Sequence, residues 1–223
     1  MGTLYIIGTP IGNLADITFR AVETLKTVDL ILAEDTRVTK RLLEEYAIAK
    51  PVIRFDEYAA EPAYDAVLNT LRRGASVAVV TDAGTPGIAD PGWKLTRFVR
   101  NKLPETPIVS VPGPSSVTAA LSLSGIPAGS FTFLGYPPQK KGRATFFRDI
   151  TTMTVRPIVL FESPHRIGKT LAELGNAIGE EREVFVGREL TKMHEEAWTG
   201  TLLAAKEHFT GPRGRGEFVL VLP

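Results

Sequence analysis

Several acid–base and anion-binding side chains stand directly behind apolar runs. In "FESPHR", Glu162 follows "PIVLF", and Arg166 comes four residues later in the first turn of the next helix. A cation there opposes the positive end of the helix dipole, a position easier to understand if it meets an anion. "EVFVG" runs into Arg188 and Glu189, and "DLILA" into Glu34, Asp35 and Arg37. A carboxylate at a strand end can take a proton from a reacting group, and a nearby arginine can stabilise the charge that develops. Each has a structural alternative: Glu162 or Asp35 can cap the following helix, and Arg188 and Glu189 can join an ion-pair group with Lys192. His165 adjoins Glu162 and is a further candidate base. His165, His194 and His208 show no metal-ligand spacing, and the chain has no cysteine, so no metal site is expected.

A second kind of feature is the loop "TDAGTPGIADPG" (81–92), with three glycines, two prolines and no lysine or arginine. It permits close backbone approach and offers no cation. "GTPIGNL" and "PGPSS" follow two other apolar runs in the same half. In open α/β sheets ligands sit beyond the carboxyl ends of strands, so three such loops surround one crevice. Pro10 stands where a dinucleotide fingerprint has its second glycine, and no G-x-x-x-x-G-K-[ST] occurs, which argues against a di- or triphosphate. What the loops do offer is backbone groups, the hydroxyls of Thr85, Ser115 and Ser116, and the apolar surface of Ile11 and Ile88. That set favours a ligand with an adenosine and an amino-acid end.

The elements that must hold these groups are legible as eight β-branched runs: 4–8, 29–34, 76–81, 107–111, 131–135, 157–162, 183–187 and 217–222. Continuous apolar runs suit strands buried on both faces. Helical patterns lie between several of them: 60–74, with Ala63, Val67 and Leu71 in register, 93–101, and 164–179, with Ile167, Leu171, Leu174 and Ile178 on one face. Alternating strand and helix predicts an α/β fold with a largely parallel N-terminal sheet and a mixed C-terminal one. A change of composition at "VPGPSS" places a boundary near residue 114, giving domains 1–114 and 115–223.

Lys and Arg total 26 against 25 Asp and Glu, so a nucleic-acid partner would need a local basic patch. "PQKKGR" (138–143) and "GPRGRGE" (211–217), with Arg213 and Arg215, are the candidates. No signal peptide or apolar run long enough to span a membrane is present, which predicts a soluble, cytoplasmic protein.

"TPIGNLADIT", "AEDTR", "VTDAGTPGIADPG", "VPGPSS", "FESPHRI", "RELTKMHEE" and "GEFVLVL" resemble, in order and spacing, the bacterial ribosomal RNA small-subunit methyltransferase I family of the tetrapyrrole methylase superfamily. The resemblance runs from Leu4 to Leu222. It implies two α/β domains with S-adenosylmethionine (SAM) in the cleft between them, a homodimer, and methylation of a cytidine ribose 2′-oxygen in the decoding region of 16S rRNA within the small ribosomal subunit. Matched motif by motif, it assigns cofactor contacts to Ile11, Thr85, Ile88, Ser115, Ser116, Phe161, Leu202 and Glu217. It puts "AEDTR", with Asp35 and Arg37, on the substrate side; Glu162, Arg166, Arg188 and Glu189 stand as catalytic candidates from their strand-end positions, and Arg213 and Arg215 as a phosphate-binding surface from their loop. A loop without Lys or Arg suits a cationic sulfonium.

This chain departs from the family twice. Where relatives carry a His/Asn-rich stretch it reads "FDEYAAEP" (55–62), and many relatives continue past "GEFVLVL". Both bear on RNA engagement more than on the cofactor. The competing expectations are methylation of a small molecule such as a tetrapyrrole carbon, and a SAM-binding module without catalysis.

Overall fold

The structure, a computed structural model, describes residues 1–59 and 61–223. The chain divides into two compact units, Met1–Ser115 and Ser116–Pro223. In the first, strands β1 (Leu4–Ile7), β2 (Leu30–Ala33), β3 (Val52–Arg54), β4 (Val77–Val80) and β5 (Ile108–Val111) alternate with helices α1 (Phe19–Thr27), α2 (Thr36–Glu45), α3 (Glu61–Arg72) and α4 (Gly92–Lys102). The sheet order is β3-β2-β4-β1-β5 and every pairing is parallel. Both faces are covered, as a parallel sheet requires. Leu4, Leu30, Leu32, Val77 and Val79 pack with α3 and α4 residues such as Leu71 and Leu95. Ile7, Ile31, Ala33, Ala78 and Val80 turn to the other face and pack with Leu25 of α1 and Leu43 of α2.

Because all five strands are parallel, their carboxyl ends share one edge. From β1 the chain crosses to β2 in one direction, and from β4 it crosses to β5 in the other. The loops after β1 and β4 therefore flank a topological switch point, where open α/β sheets bind ligands. Gly8, directly after β1, lies against Gly113, after β5. A Cβ on Gly8 would fall 2.7 Å from the Gly113 nitrogen, and one on Gly113 would fall 2.6 Å from the Gly8 oxygen. Only glycine at both positions lets the two loops touch.

In the second unit, strands β6 (Thr132–Gly135), β7 (Ile158–Glu162), β8 (Glu183–Arg188), β9 (Glu196–Thr201) and β10 (Phe218–Leu222) form a sheet of order β6-β7-β10-β8-β9. Only β6 and β7 are parallel; the other pairs are antiparallel. Helix α5 (Ser116–Ser124) packs across β10 and β8. Helices α6 (Arg143–Ile150), α7 (Ile167–Ile178) and α8 (Leu202–His208) cover the other face around Leu171, Phe209, Phe218 and Leu220. The register pairs Phe218 with both Glu162 and Arg188. The ends of β6, β7 and β8 and the start of β10 thus meet at one edge.

All eight apolar runs are strands. The three helical patterns are α3, α4 and α7, and Ala60, where the first was expected to begin, lies outside the described residues. Two strands escape the reading of apolar runs. Strand β3 has only three residues, and β9, "EAWTGT", alternates exposed with half-buried positions at the sheet's edge.

Gly113→Ala is expected to lower stability by about 1–3 kcal/mol, the usual penalty for overpacking. Urea unfolding checks this, with Gly125→Ala as a control for a glycine whose surroundings are open but whose φ is 67°.

Candidate functional site

At the first unit's loop edge, backbone hydrogen bonds knit the predicted loops together. The Thr9 N–H donates to the Gly84 carbonyl at 2.9 Å, and the Gly84 N–H returns to Thr9 at 3.2 Å. The Thr9 hydroxyl donates to the Thr81 carbonyl at 3.0 Å, and Gly8 N–H donates to Val111. Gly84, at φ 81°, packs under the Ile11 side chain. Farther along, the Asp90 carboxylate accepts from the N–H groups of Gly87 and Gly92, which sets the turn into α4. Ile11 is buried, Thr85 and Ser115 half-buried, and Ile88 half exposed at 50%. The three glycine-bearing loops thus converge on one side of one sheet, as their positions behind strands predicted.

The charge on this edge is carboxylate. A pocket of about 630 Å³ beside it is lined by Glu34, Asp35, Arg37, Arg54, Glu57 and Asp82, among others. Asp35 caps α2 by accepting from the Arg37 N–H at 2.8 Å. It also holds the Arg37 guanidinium at 2.6 Å. Bonds from that guanidinium and that N–H hold its carboxyl well below the usual carboxylate range. Glu34 moves the other way. Burial pushes its carboxyl up against the hydrogen bond from the Thr81 hydroxyl, and Asp82 and Asp90 nearby add to the rise.

In the second unit the strand-end edge is organised by one buried carboxylate. The Glu162 residue is 1% exposed. Its Oε1 accepts from the Ser163 N–H at 2.7 Å and pairs with the Arg166 guanidinium at 2.9 Å. Its Oε2 accepts from the Thr170 hydroxyl at 2.5 Å. Thr170 in turn accepts from Arg143 at 2.7 Å, and Arg143 is paired with Glu173. Arg166 also donates to the Pro137 carbonyl and lies 5.9 Å from the Tyr136 ring centre. Phe161 packs edge-on against Phe133 and Tyr136. Burial, with Glu217 and Glu162 nearby, pushes the Tyr136 phenol up.

Beyond β8, Arg188 and Glu189 part company. The Arg188 guanidinium donates to the Arg215 carbonyl at 2.7 Å and lies 3.5 Å from Glu196. Glu189 turns to Lys192 at 2.9 Å, and Lys192 also reaches Glu217 at 2.7 Å. Burial would raise the Glu189 carboxyl, but hydrogen bonds from the Glu217 N–H and Lys192 outweigh it and hold the group below its ordinary 4.5. Burial would likewise lower Lys192, and its bonds to Glu217 and Glu189 hold it above its ordinary 10.5 instead. A pocket of about 450 Å³ is lined by Arg188, Glu189, His194, Arg213 and Arg215. Four candidates from two distant motifs therefore share one hollow.

Several expectations need correction. Arg166 sits at the N-cap of α7 rather than in its first turn, and the anion it meets is Glu162 of the same chain. Leu202 is 1% exposed and its side chain belongs to the buried cluster around Phe209. The Glu217 carboxylate is engaged with Lys192. Arg143 of "PQKKGR" is buried in the Glu162 network, so the exposed basic residues there are Lys140 and Lys141. Sequence reading passed over Tyr136 and gave Lys192 only a structural part. Its position three residues after Glu189 was the available signal.

Residues 3–205 match the family model described as tetrapyrrole (corrin/porphyrin) methylases. The chain is 45% identical over 222 residues to ribosomal RNA small subunit methyltransferase I of Thermotoga maritima, covering 100% of this chain and 98% of that protein. To the protein of the same name in Synechocystis it is 43% identical, covering 100% and 79%. Among solved structures it resembles a cobalt precorrin-4 methyltransferase of cobalamin biosynthesis, with a TM-score of 0.69 at 24% identity over 98% of this chain and 94% of that one. A uroporphyrin-III C-methyltransferase from Thermus thermophilus gives a TM-score of 0.64 at 17% identity, covering 99% and 94%.

Two outcomes follow from this geometry. Glu162→Ala strands Arg166 beside a cavity and is expected to cost about 3–5 kcal/mol, the range for breaking a buried pair, measured by urea unfolding. Glu189, depressed in the fold, contributes stability present above its ordinary 4.5 and lost as pH falls through the folded value. Lys192, raised, contributes stability present below 10.5 and lost as pH rises through its folded value. Glu189→Gln is therefore expected to flatten the acid limb of stability against pH, read from unfolding midpoints between neutral and acid buffers.

Proposed function

The chain belongs to the ribosomal RNA small subunit methyltransferase I family of the tetrapyrrole methylases, and we propose that it methylates a cytidine ribose 2′-oxygen in the decoding region of 16S rRNA, using SAM. The observation that carries this reading is near-full-length identity of 45% with a ribosomal RNA methyltransferase. The likeness to tetrapyrrole enzymes at 24% identity or less supports the fold alone.

SAM supplies a methyl group on a positively charged sulfur. The first unit's loop edge suits it: Gly8, Gly84 and Gly113 allow backbone approach, Ile11 and Ile88 give apolar surface, and Glu34, Asp82 and Asp90 set a negative field. Ile11, Thr85, Ile88 and Ser115 are its proposed contacts there. Absence of a lysine or arginine in 81–92 removes the repulsion a sulfonium would meet. Methyl transfer is an in-line displacement, in which positioning alone can contribute about 7–11 kcal/mol in favourable cases.

The RNA is held by the pocket of Arg188, Arg213 and Arg215, where arginines from two segments face phosphate oxygens. Asp35 and Arg37 form a second contact at the first unit's edge. Glu162 acts by fixing Arg166 and the start of α7, since both its oxygens are already engaged. The enzyme works as a cytoplasmic homodimer in this reading.

Tritium transfer from labelled SAM tests it, with small ribosomal subunits, naked 16S rRNA and a tetrapyrrole panel as acceptors. Label on a decoding-region cytidine ribose is the expected result; label on a tetrapyrrole alone would replace the substrate. Arg213→Ala with Arg215→Ala is expected to weaken RNA binding and reduce the slope of log affinity against log salt by about 1–2. An unchanged slope would assign that loop to solvent.

A further inference from the structure

The segment after β8 carries more backbone constraint than a turn requires. Glu189 and Thr191 both adopt left-handed backbone, with φ of 50° and 67°, a conformation unfavourable for a residue with a side chain that persists where surrounding contacts enforce it. Those contacts are visible. The Glu189 N–H donates to the Glu217 carbonyl at 2.9 Å, and the Glu217 N–H donates to Glu189 Oε1 at 2.8 Å. Gly216, at φ 102°, is needed as well: a Cβ there would fall 2.5 Å from Glu189 Cγ. The segment "GRGE" before β10 is thus shaped around Glu189.

What this arrangement positions is one ammonium group. Lys192 Nζ donates to Glu189 Oε1 and Glu217 Oε2. An ammonium has three N–H donors, so one remains for a further acceptor. The Lys192 side chain is 28% exposed, and that of Glu217 67%. Among the described residues, Glu217 Oε1 has no hydrogen-bond partner in the protein. The pair therefore offers an incoming hydroxyl one donor and one acceptor side by side. Glu189 is the anchor, with a side chain only 19% exposed. The arginine-lined pocket includes Glu189, the residue whose carboxylate holds Lys192 at 2.9 Å.

We propose that Lys192 and Glu217 are the acceptor site of the reaction: Lys192 donates to the ribose 2′-oxygen and stabilises its developing charge, while Glu217 receives the hydroxyl proton. This rests on the ribose-methylation reading above. In the step, the carbon–sulfur bond of the sulfonium breaks and its electron pair stays on sulfur. The new bond forms from the 2′-oxygen to the methyl carbon, and the 2′-hydroxyl proton moves to Glu217. Lys192 keeps its proton throughout, since its carboxylate neighbours favour the charged form. Glu189 is a positioning residue: it touches Lys192 and the backbone of Glu217.

The test compares wild type with Lys192→Met, Lys192→Arg and Glu217→Gln in single-turnover methyl transfer to small ribosomal subunits. Binding is measured in parallel on subunits reconstituted with ribose or 2′-deoxyribose at the labelled nucleotide. Lys192→Met is expected to slow transfer by about 100- to 1,000-fold, the range for losing one preorganised donor to a developing oxyanion. SAM affinity should stay within about threefold, and Lys192→Arg, which keeps the charge, should recover part of the rate. Wild type should bind the ribose form more tightly than the deoxy form, and Lys192→Met should bind both alike. Glu217→Gln should slow transfer with SAM affinity within about threefold of wild type. Ribose label with wild type but a Lys192→Met rate within about fivefold, or unchanged ribose preference in that variant, overturns this assignment alone. No ribose label with wild type on any RNA overturns the methylation reading and this assignment with it.

Discussion

A carboxylate withdrawn from water at the end of a strand must find donors, and the second unit is arranged around that requirement. Glu162 is buried where β7 meets β6 and β10, and an unpaired carboxylate there would be too costly to keep. Ser163, Thr170 and Arg166 supply the donors, and Thr170 passes the network on to Arg143 and Glu173. The chain of bonds ties α6 and α7 to the strand-end edge and fixes Arg166 against Tyr136. Each member is satisfied, which is the condition under which a buried polar network rigidifies rather than destabilises. The hydrophobic core around Leu171 and Phe218 holds the sheet to its helices; Glu162 sets where the edge residues point.

The two units solve different electrostatic problems. At the first unit's edge, Glu34 is raised by burial and by Asp82 and Asp90, so the loops sit in a negative field. The exposed Arg37 there is neutralised by Asp35. At the second unit's edge, Arg213 and Arg215 stand exposed, and Lys192 is held charged by Glu189 and Glu217. A cationic methyl donor suits the first edge, and a polyanionic acceptor suits the second. The near-zero net charge of the whole chain conceals this separation, because the charges cancel only in the sum.

Positioning at both edges uses backbone more than side chains. Gly8 against Gly113 lets the loops after β1 and β5 touch, and the Thr9–Gly84 pair joins the loops after β1 and β4. Gly216 performs the analogous task beside Glu189. Reciprocal hydrogen bonds join Thr9 to Gly84 and Glu189 to Glu217, and they constrain the geometry these loops present. Preorganisation of this kind lowers the cost of assembling a reacting pair.

The sequence by itself determined the fold class, because apolar runs long enough for two-sided burial, separated by helical periodicity, admit few other solutions. It also placed three glycine- and proline-bearing loops behind strands, since those residues interrupt apolar runs there in a way that core packing does not need. β3 was illegible because three residues are too few for a pattern, and β9 because its polar residues form no apolar run and its pairing with β8 specifies it. Partnerships were the larger gap. Arg166 looked like a free cation seeking an external anion, Arg143 like part of a basic surface, and Leu202 like a ligand contact. Only the fold brought Glu162 to Arg166, Thr170 to Arg143, and Leu202 into the cluster that holds Phe209. Lys192 and Glu217 lie 25 residues apart, and antiparallel pairing of β8 with β10 makes them neighbours. Local sequence encodes which groups are present and which segment carries them, while strand register decides which groups meet, and register depends on pairings that no single segment contains.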